Sequence, residues 1–118
     1  MDRKQANIAF HHSERLKSNL FLVSGALDRL TTLEADRLEG GKEVSKGVLD
    51  ALRGELSMAR RYIEPARANA IERELFEVEA EIEIHDYAKA REHLAQTFSH
   101  VTTLSSKYIK ILMEEDLI

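Results

Sequence analysis

Cysteine and tryptophan are absent from the 118 residues, and proline occurs once. Without cysteine there is no disulfide, no thiolate metal site and no thiol nucleophile, and the chain suits a reducing compartment. A single proline, Pro65, leaves long stretches free of the one residue that removes a backbone N–H and breaks a helix interior. Long apolar runs are missing too. The start, Met1-Asp2-Arg3-Lys4-Gln5, is polar, and no stretch approaches the about 20 apolar residues that a membrane-crossing helix needs. Neither a secretory segment nor a membrane span is expected, and the expected compartment is the cytoplasm. There is no excess of positive charge: Lys and Arg number 17 against 21 Asp and Glu, a formal charge of −4, which disfavours nucleic acid as the main ligand. Nowhere do β-branched and aromatic residues alternate between turn residues, so strands do not organise this chain.

What is present is a helical apolar period. Ala6, Ala9, Leu16, Leu20, Val23, Leu27 and Leu30 recur on alternating three- and four-residue steps, with Ser13 the polar member of the track. This predicts a first helix from about Arg3 to Leu38, capped by Asp2 and stopped by Gly40-Gly41. Gly25 inside it costs about 1 kcal/mol relative to alanine, which a close helix approach would explain. A second helix, Lys42 to Ile63, carries Leu49, Leu52, Leu56, Ala59 and Ile63. Pro65 breaks the pattern and can open a third helix, Ala66 to Ile84, with Ala68, Ile71, Leu75, Val78 and Ile82 as its seam. The pattern changes phase at His85-Asp86. A last helix then runs from Tyr87 to Glu115 on Tyr87, Ala90, Leu94, Thr97, Val101, Leu104, Tyr108 and Ile111, with Asp86 as a cap, although the last two helices could also be one bent rod. The expected fold is all-α: one domain, 1–118, a four-helix, mainly antiparallel up-down bundle with long first and last helices. The acidic end of the last helix opposes its dipole, and terminal Leu117-Ile118 could dock on a neighbour.

The residues able to carry chemistry are the carboxylates and histidines. Glu72, Glu74, Glu77, Glu79, Glu81 and Glu83 crowd the third helix, and the expectation is a solvated charged face. Di-iron bundles need inward-facing Glu-x-x-His motifs, and the chain has none. His11 and His12 are neighbours pointing about 100° apart, while His93 and His100 lie two turns apart, too far to share one ion. Boundary histidines flanking a core are expected, and no metal or cofactor. His12-Ser13 and Ser99-His100 lack any oxyanion arrangement, and Gly40-Gly41-Lys42 lacks the spacing of a phosphate loop.

Two resemblances bear on function. Glu83-x-x-Asp86 resembles half of the acidic signature of all-α nucleotide pyrophosphohydrolases, which implies a metal-dependent hydrolase; the upstream half is missing, Glu74-x-x-Glu77 being too close. Glu14-Arg15-Leu16-Lys17-Ser18-Asn19-Leu20, followed by Val23-Ser24-Gly25 and Leu27, resembles the first helix of the dimerisation and phosphotransfer hairpins of sensor histidine kinases. In that register the phosphoacceptor position holds Glu14, with His11 and His12 preceding it. The resemblance implies a long helical hairpin that dimerises, and a histidine-phosphotransfer relative as the second functional reading.

The first reading is a non-enzymatic interaction or scaffold protein. Phe10, Phe21, Leu22 and Leu33 on the first helix, and Phe98 and Leu112 on the last, lie off the core seam and form the candidate interface. A homodimer, or an adaptor's protein partner, would cover them.

Overall fold

Asp2 starts the first helix as expected. Its carboxylate accepts from the Gln5 backbone N–H at 2.7 Å, and the Gln5 side-chain oxygen accepts in turn from the Asp2 N–H, a reciprocal capping box. The computed structural model describes residues 1–116, which form α1 (Arg3–Leu30), α2 (Ala35–Ala59), α3 (Pro65–Glu83) and α4 (Tyr87–Asp116). Leu117 and Ile118, and with them the docking expected of the chain end, lie outside the described residues. Each helix packs against its two ring neighbours, and among the described residues the diagonal pairs make no close backbone approach. The result is an antiparallel up-down bundle of 59 × 21 × 20 Å, with α1 and α4 the longest helices. No described helix is long and apolar enough to cross a membrane.

The periodic seams become the core. Leu16, Val23 and Leu27 of α1, Leu49 and Leu52 of α2, Ile71, Leu75, Val78 and Ile82 of α3, and Val101 of α4 are all fully buried. Each such side chain contributes about 1.5–3 kcal/mol relative to exposure. The polar seam members are satisfied: Ser105 donates to the Ser13 hydroxyl at 2.8 Å, and Ser13 donates to the Phe10 carbonyl at 2.7 Å.

Three boundaries differ from the periodic reading. The first helix ends at Leu30 rather than Leu38, because Thr31 and Thr32 turn their hydroxyls back onto the Asp28 and Arg29 carbonyls, at 2.7 and 2.9 Å, and Glu34 is extended. Gly40-Gly41 therefore lies inside α2 and stops nothing. At Gly41 a Cβ would stand 2.5 Å from Leu33 Cδ1 and 2.8 Å from Leu30 Cδ2, so this glycine lets the turn's leucines close over α2. Gly25 has no such neighbour within the chain: a Cβ there would meet nothing within 4 Å. The second helix ends at Ala59, and Ile63 is buried from the turn before Pro65.

Helices α3 and α4 are separate. His85 takes a φ of 60°, the left-handed conformation, and the following N–H groups fold back, Asp86 to the Glu81 carbonyl at 2.8 Å and His85 to the Ile82 carbonyl at 3.1 Å. This is the Schellman termination, usually built on glycine. Asp86 then caps α4 by accepting from the Lys89 N–H at 3.2 Å.

Replacing His85 by glycine removes the Cβ penalty of that conformation while sacrificing the 2.8 Å contact between His85 Nδ1 and the Tyr87 hydroxyl. A gain of about 0.5–1 kcal/mol is expected, read as a higher urea midpoint at unchanged slope. Near the opposite end, Tyr108 is buried and donates to the Tyr62 carbonyl at 3.2 Å; burial pushes its pKa up to about 12 from 10.0. The unfolded tyrosine ionises first, so the stability tied to the neutral phenol is complete below pH 10 and lost as pH rises toward 12. In chemical denaturation across that window, Tyr108→Phe should lose less stability than the unmodified protein.

Candidate functional site

The glutamates of α3 are not a solvated face, which corrects the expectation from composition. Glu72 pairs with Arg60 and Glu79 with Arg53 at 2.6 Å, both reaching α2 or its end, and Glu83 meets Lys46 and the buried Lys42. Toward α4, Glu74 lies 3.2 Å from His100 Nε2 and accepts from the Thr97 hydroxyl at 2.9 Å, and Glu81 lies 2.6 Å from His93 Nδ1. These pairs flank the apolar seams, where half-buried charge is retained only with a partner. His93 and His100 are boundary histidines, as the spacing predicts, and each engages its own glutamate across the helix pair.

A second polar cluster joins α1 to α2. Glu55 is buried; His12 Nδ1 donates to its Oε1 at 2.9 Å, and Arg15 Nε donates to the same oxygen at 2.8 Å. Tyr62 stacks on the His12 ring at 5.6 Å. Burial works against ionisation of Glu55, but the hydrogen bonds from His12 and Arg15 and the charge of Arg15 outweigh it and hold the carboxyl below the usual carboxylate range. His12 is thus turned into the bundle while His11 is exposed, and Glu14, the residue at the phosphoacceptor position of the kinase-like register, pairs with Lys17 at 3.2 Å.

Glu77, one turn before Glu81, completes a group with Glu81 and His93 whose donor atoms all lie within 4.8 Å of one another. Two carboxylate oxygens and one imidazole nitrogen are a donor set able to hold a divalent ion. Sequence reading misses the group by comparing glutamates along one helix and histidines along another. The signal is nevertheless present: Glu81 and His93 stand six residues before and six after Tyr87, and Glu74 and His100 stand thirteen before and thirteen after it. An antiparallel hairpin turning there brings each pair to the same level.

The six candidate interface residues divide. Phe21 and Leu22 are 64% and 61% exposed. Phe10, Leu33 and Phe98 lie partly buried against their own core, and Leu112 borders a groove at the far end with Lys4, Asn7, Ile109 and Met113. Phe21 makes an edge contact with Phe98 at 5.1 Å and lines, with Leu94 and Ala95, a groove of about 320 Å³ between α1 and α4. A groove of about 300 Å³ between α1 and α2 is lined by Gly25, Ala26, Leu33 and exposed Val44. Of the other exposed apolar side chains, Phe76 lies beneath the Arg53 guanidinium at 4.7 Å.

Compared with protein-family models, with curated proteins and with solved structures, the chain matches none.

The Glu55 cluster generates its own expectation. Because its folded pKa is depressed, its contribution is present above the unfolded value of 4.5 and lost as pH falls through the folded one. Glu55→Gln is expected to cost about 1–3 kcal/mol at neutral pH, measured by urea unfolding. Its stability should then fall less steeply than that of the unmodified protein below pH 4.5.

Proposed function

We propose that the chain is a non-enzymatic interaction module of the cytoplasm, a helical bundle that works as a homo-oligomer by packing the outer ridge of α1 against a second copy of itself. The observation that carries this reading is the pair Phe21 and Leu22, adjacent and largely exposed in the long helix whose core face is already occupied. Left in water, each forfeits about 1.5–3 kcal/mol of burial.

The surroundings of that pair favour a second copy as the occupant. Leu22 and Gly25 lie one turn apart on a ridge, with the α1–α4 groove on one side and the α1–α2 groove on the other. A surface that carries both ridge and groove is self-complementary under a two-fold axis, ridge seating in groove in each direction. The open space at Gly25, unexplained within one chain, lets a neighbouring backbone come close. The borders hold both charge signs, with Arg91 pairing Asp28 at 2.9 Å and Arg29 nearby, so like copies do not meet as like charges.

Light scattering and sedimentation at micromolar concentration test the reading. The unmodified protein is expected at twice the monomer mass, and Leu22→Glu at the monomer mass with its helical circular dichroism intact. Burying a carboxylate in place of the leucine should weaken association by at least about 100-fold. A monomeric unmodified protein overturns the proposal.

A further inference from the structure

We propose that Glu77, Glu81 and His93 form a binding site for a divalent ion of the zinc class, bridging α3 and α4 beside their connecting turn. Three observations converge on it. The donor atoms, one from each residue, already lie within 4.8 Å of one another. Glu81 is only 5% exposed and its sole side-chain partner among the described residues is His93, itself a member of the group. Finally, no Lys or Arg nitrogen among the described residues forms an ion pair with Glu77 or Glu81, whereas the other buried charges have a permanent counter-charge, Glu55 in Arg15 and Lys42 in Glu83. Even an imidazolium at His93 leaves the group one negative charge in excess. Glu81 is the buried member, its one counter-group is an imidazole that carries charge only when protonated, and a divalent cation supplies a permanent positive charge there.

The donor chemistry selects the ion. One nitrogen with two carboxylate oxygens suits zinc; calcium and magnesium ask for all-oxygen shells, and copper(I) for thiolates, which this chain does not contain. Tetrahedral zinc takes nitrogen and oxygen ligands at about 2.0–2.2 Å. Glu81 and His93 Nδ1 stand 2.6 Å apart, so the ion enters where the hydrogen bond now runs. The imidazole takes the tautomer with its proton on Nε2, leaving the Nδ1 lone pair for the metal. Glu77 is exposed and closes the site from the solvent side by side-chain rotation, and water fills the fourth position. His100 does not take part; it belongs to Glu74, two turns further from the connecting turn.

The test uses the full chain without a histidine tag. Calorimetric titration with zinc chloride is expected to give one ion per chain, and thermal unfolding should shift upward with added zinc. His93→Gln should weaken zinc binding by at least about 10-fold and abolish the thermal shift, while His100→Gln and His11→Gln should leave both unchanged. Circular dichroism of each variant establishes that it is folded. Glu77→Gln supplies a second ligand variant at an exposed position, where misfolding is not at issue, and it too should weaken binding. Absence of zinc uptake by the unmodified protein overturns the assignment. So does uptake that survives both His93→Gln and Glu77→Gln, or a site that magnesium fills in preference to zinc. Oligomeric state enters none of these readings, so the site stands or falls separately from the proposed dimer.

Discussion

Each helix of this bundle offers the core a seam of small and branched side chains on a 3,4 spacing, and the four seams fill the space between the helices. The narrowness of that stripe is the constraint from which the rest follows. An apolar residue that falls between two seam positions finds shelter only where a neighbouring helix or side chain reaches over it. Val23 is fully buried, whereas its neighbours Leu22 and Phe21 stand in solvent. A charged residue beside the seam is half-desolvated, so it needs an opposite charge on the adjoining helix. The exposed pair on α1 and the carboxylate pairs of α3 have the same geometric origin.

The polar pairs differ in kind between helix pairs that pack closely and the pair that packs most sparsely. The sparsest packing is between α2 and α3, and there ion pairs are most numerous, with Arg53, Arg60, Lys46 and Lys42 all reaching glutamates of α3. Their carboxylates stay partly open to solvent, so each pair adds little, about 0–1 kcal/mol, but together they fix which face of α3 meets α2. Helices α3 and α4 run closer together over their length, and the pairs there combine carboxylate with imidazole. The buried Glu55 cluster and the Ser13–Ser105 bond do the same for α1 against α2 and α4. Such buried bonds contribute about 1 kcal/mol each, but a register slip would leave all of them unsatisfied.

Much of the fold was legible in the sequence because the seams are regular: Leu49, Leu52 and Leu56, or Ile71, Leu75, Val78 and Ile82, can be read off by counting, and all are buried. The α1–α2 turn was not. Gly40-Gly41 carries the conventional stop signal, while the true break at Thr31-Thr32 depends on hydroxyls returning to carbonyls, which helix-compatible threonines do not announce. Nor does a glycine forced by Leu30 and Leu33 look different from one that ends a helix. The carboxylate–histidine groups were hidden for another reason: their members belong to different helices, and their meeting depends on where the α3–α4 turn falls. Once His85 is placed in the left-handed position, the register of the hairpin follows and Glu81 must face His93.

Ring topology also decides how the proposed surfaces relate. Helices α1 and α3 occupy opposite corners of the square, since each packs on α2 and α4 and they do not approach each other. A second copy seated on the outer ridge of α1 therefore lies across the bundle from Glu77, which opens outward from α3. An ion at Glu77, Glu81 and His93 would tie α3 to α4 without touching the α1 ridge. Any influence of one on the other would pass through α2 or α4, and on α4 Phe98 contacts Phe21 while His93 contacts Glu81. These residues lie five positions apart on one helix, so they point in different directions, and Phe98 is packed against the core. Self-association and metal binding should accordingly be additive properties of this bundle, each resting on a separate edge of the same ring.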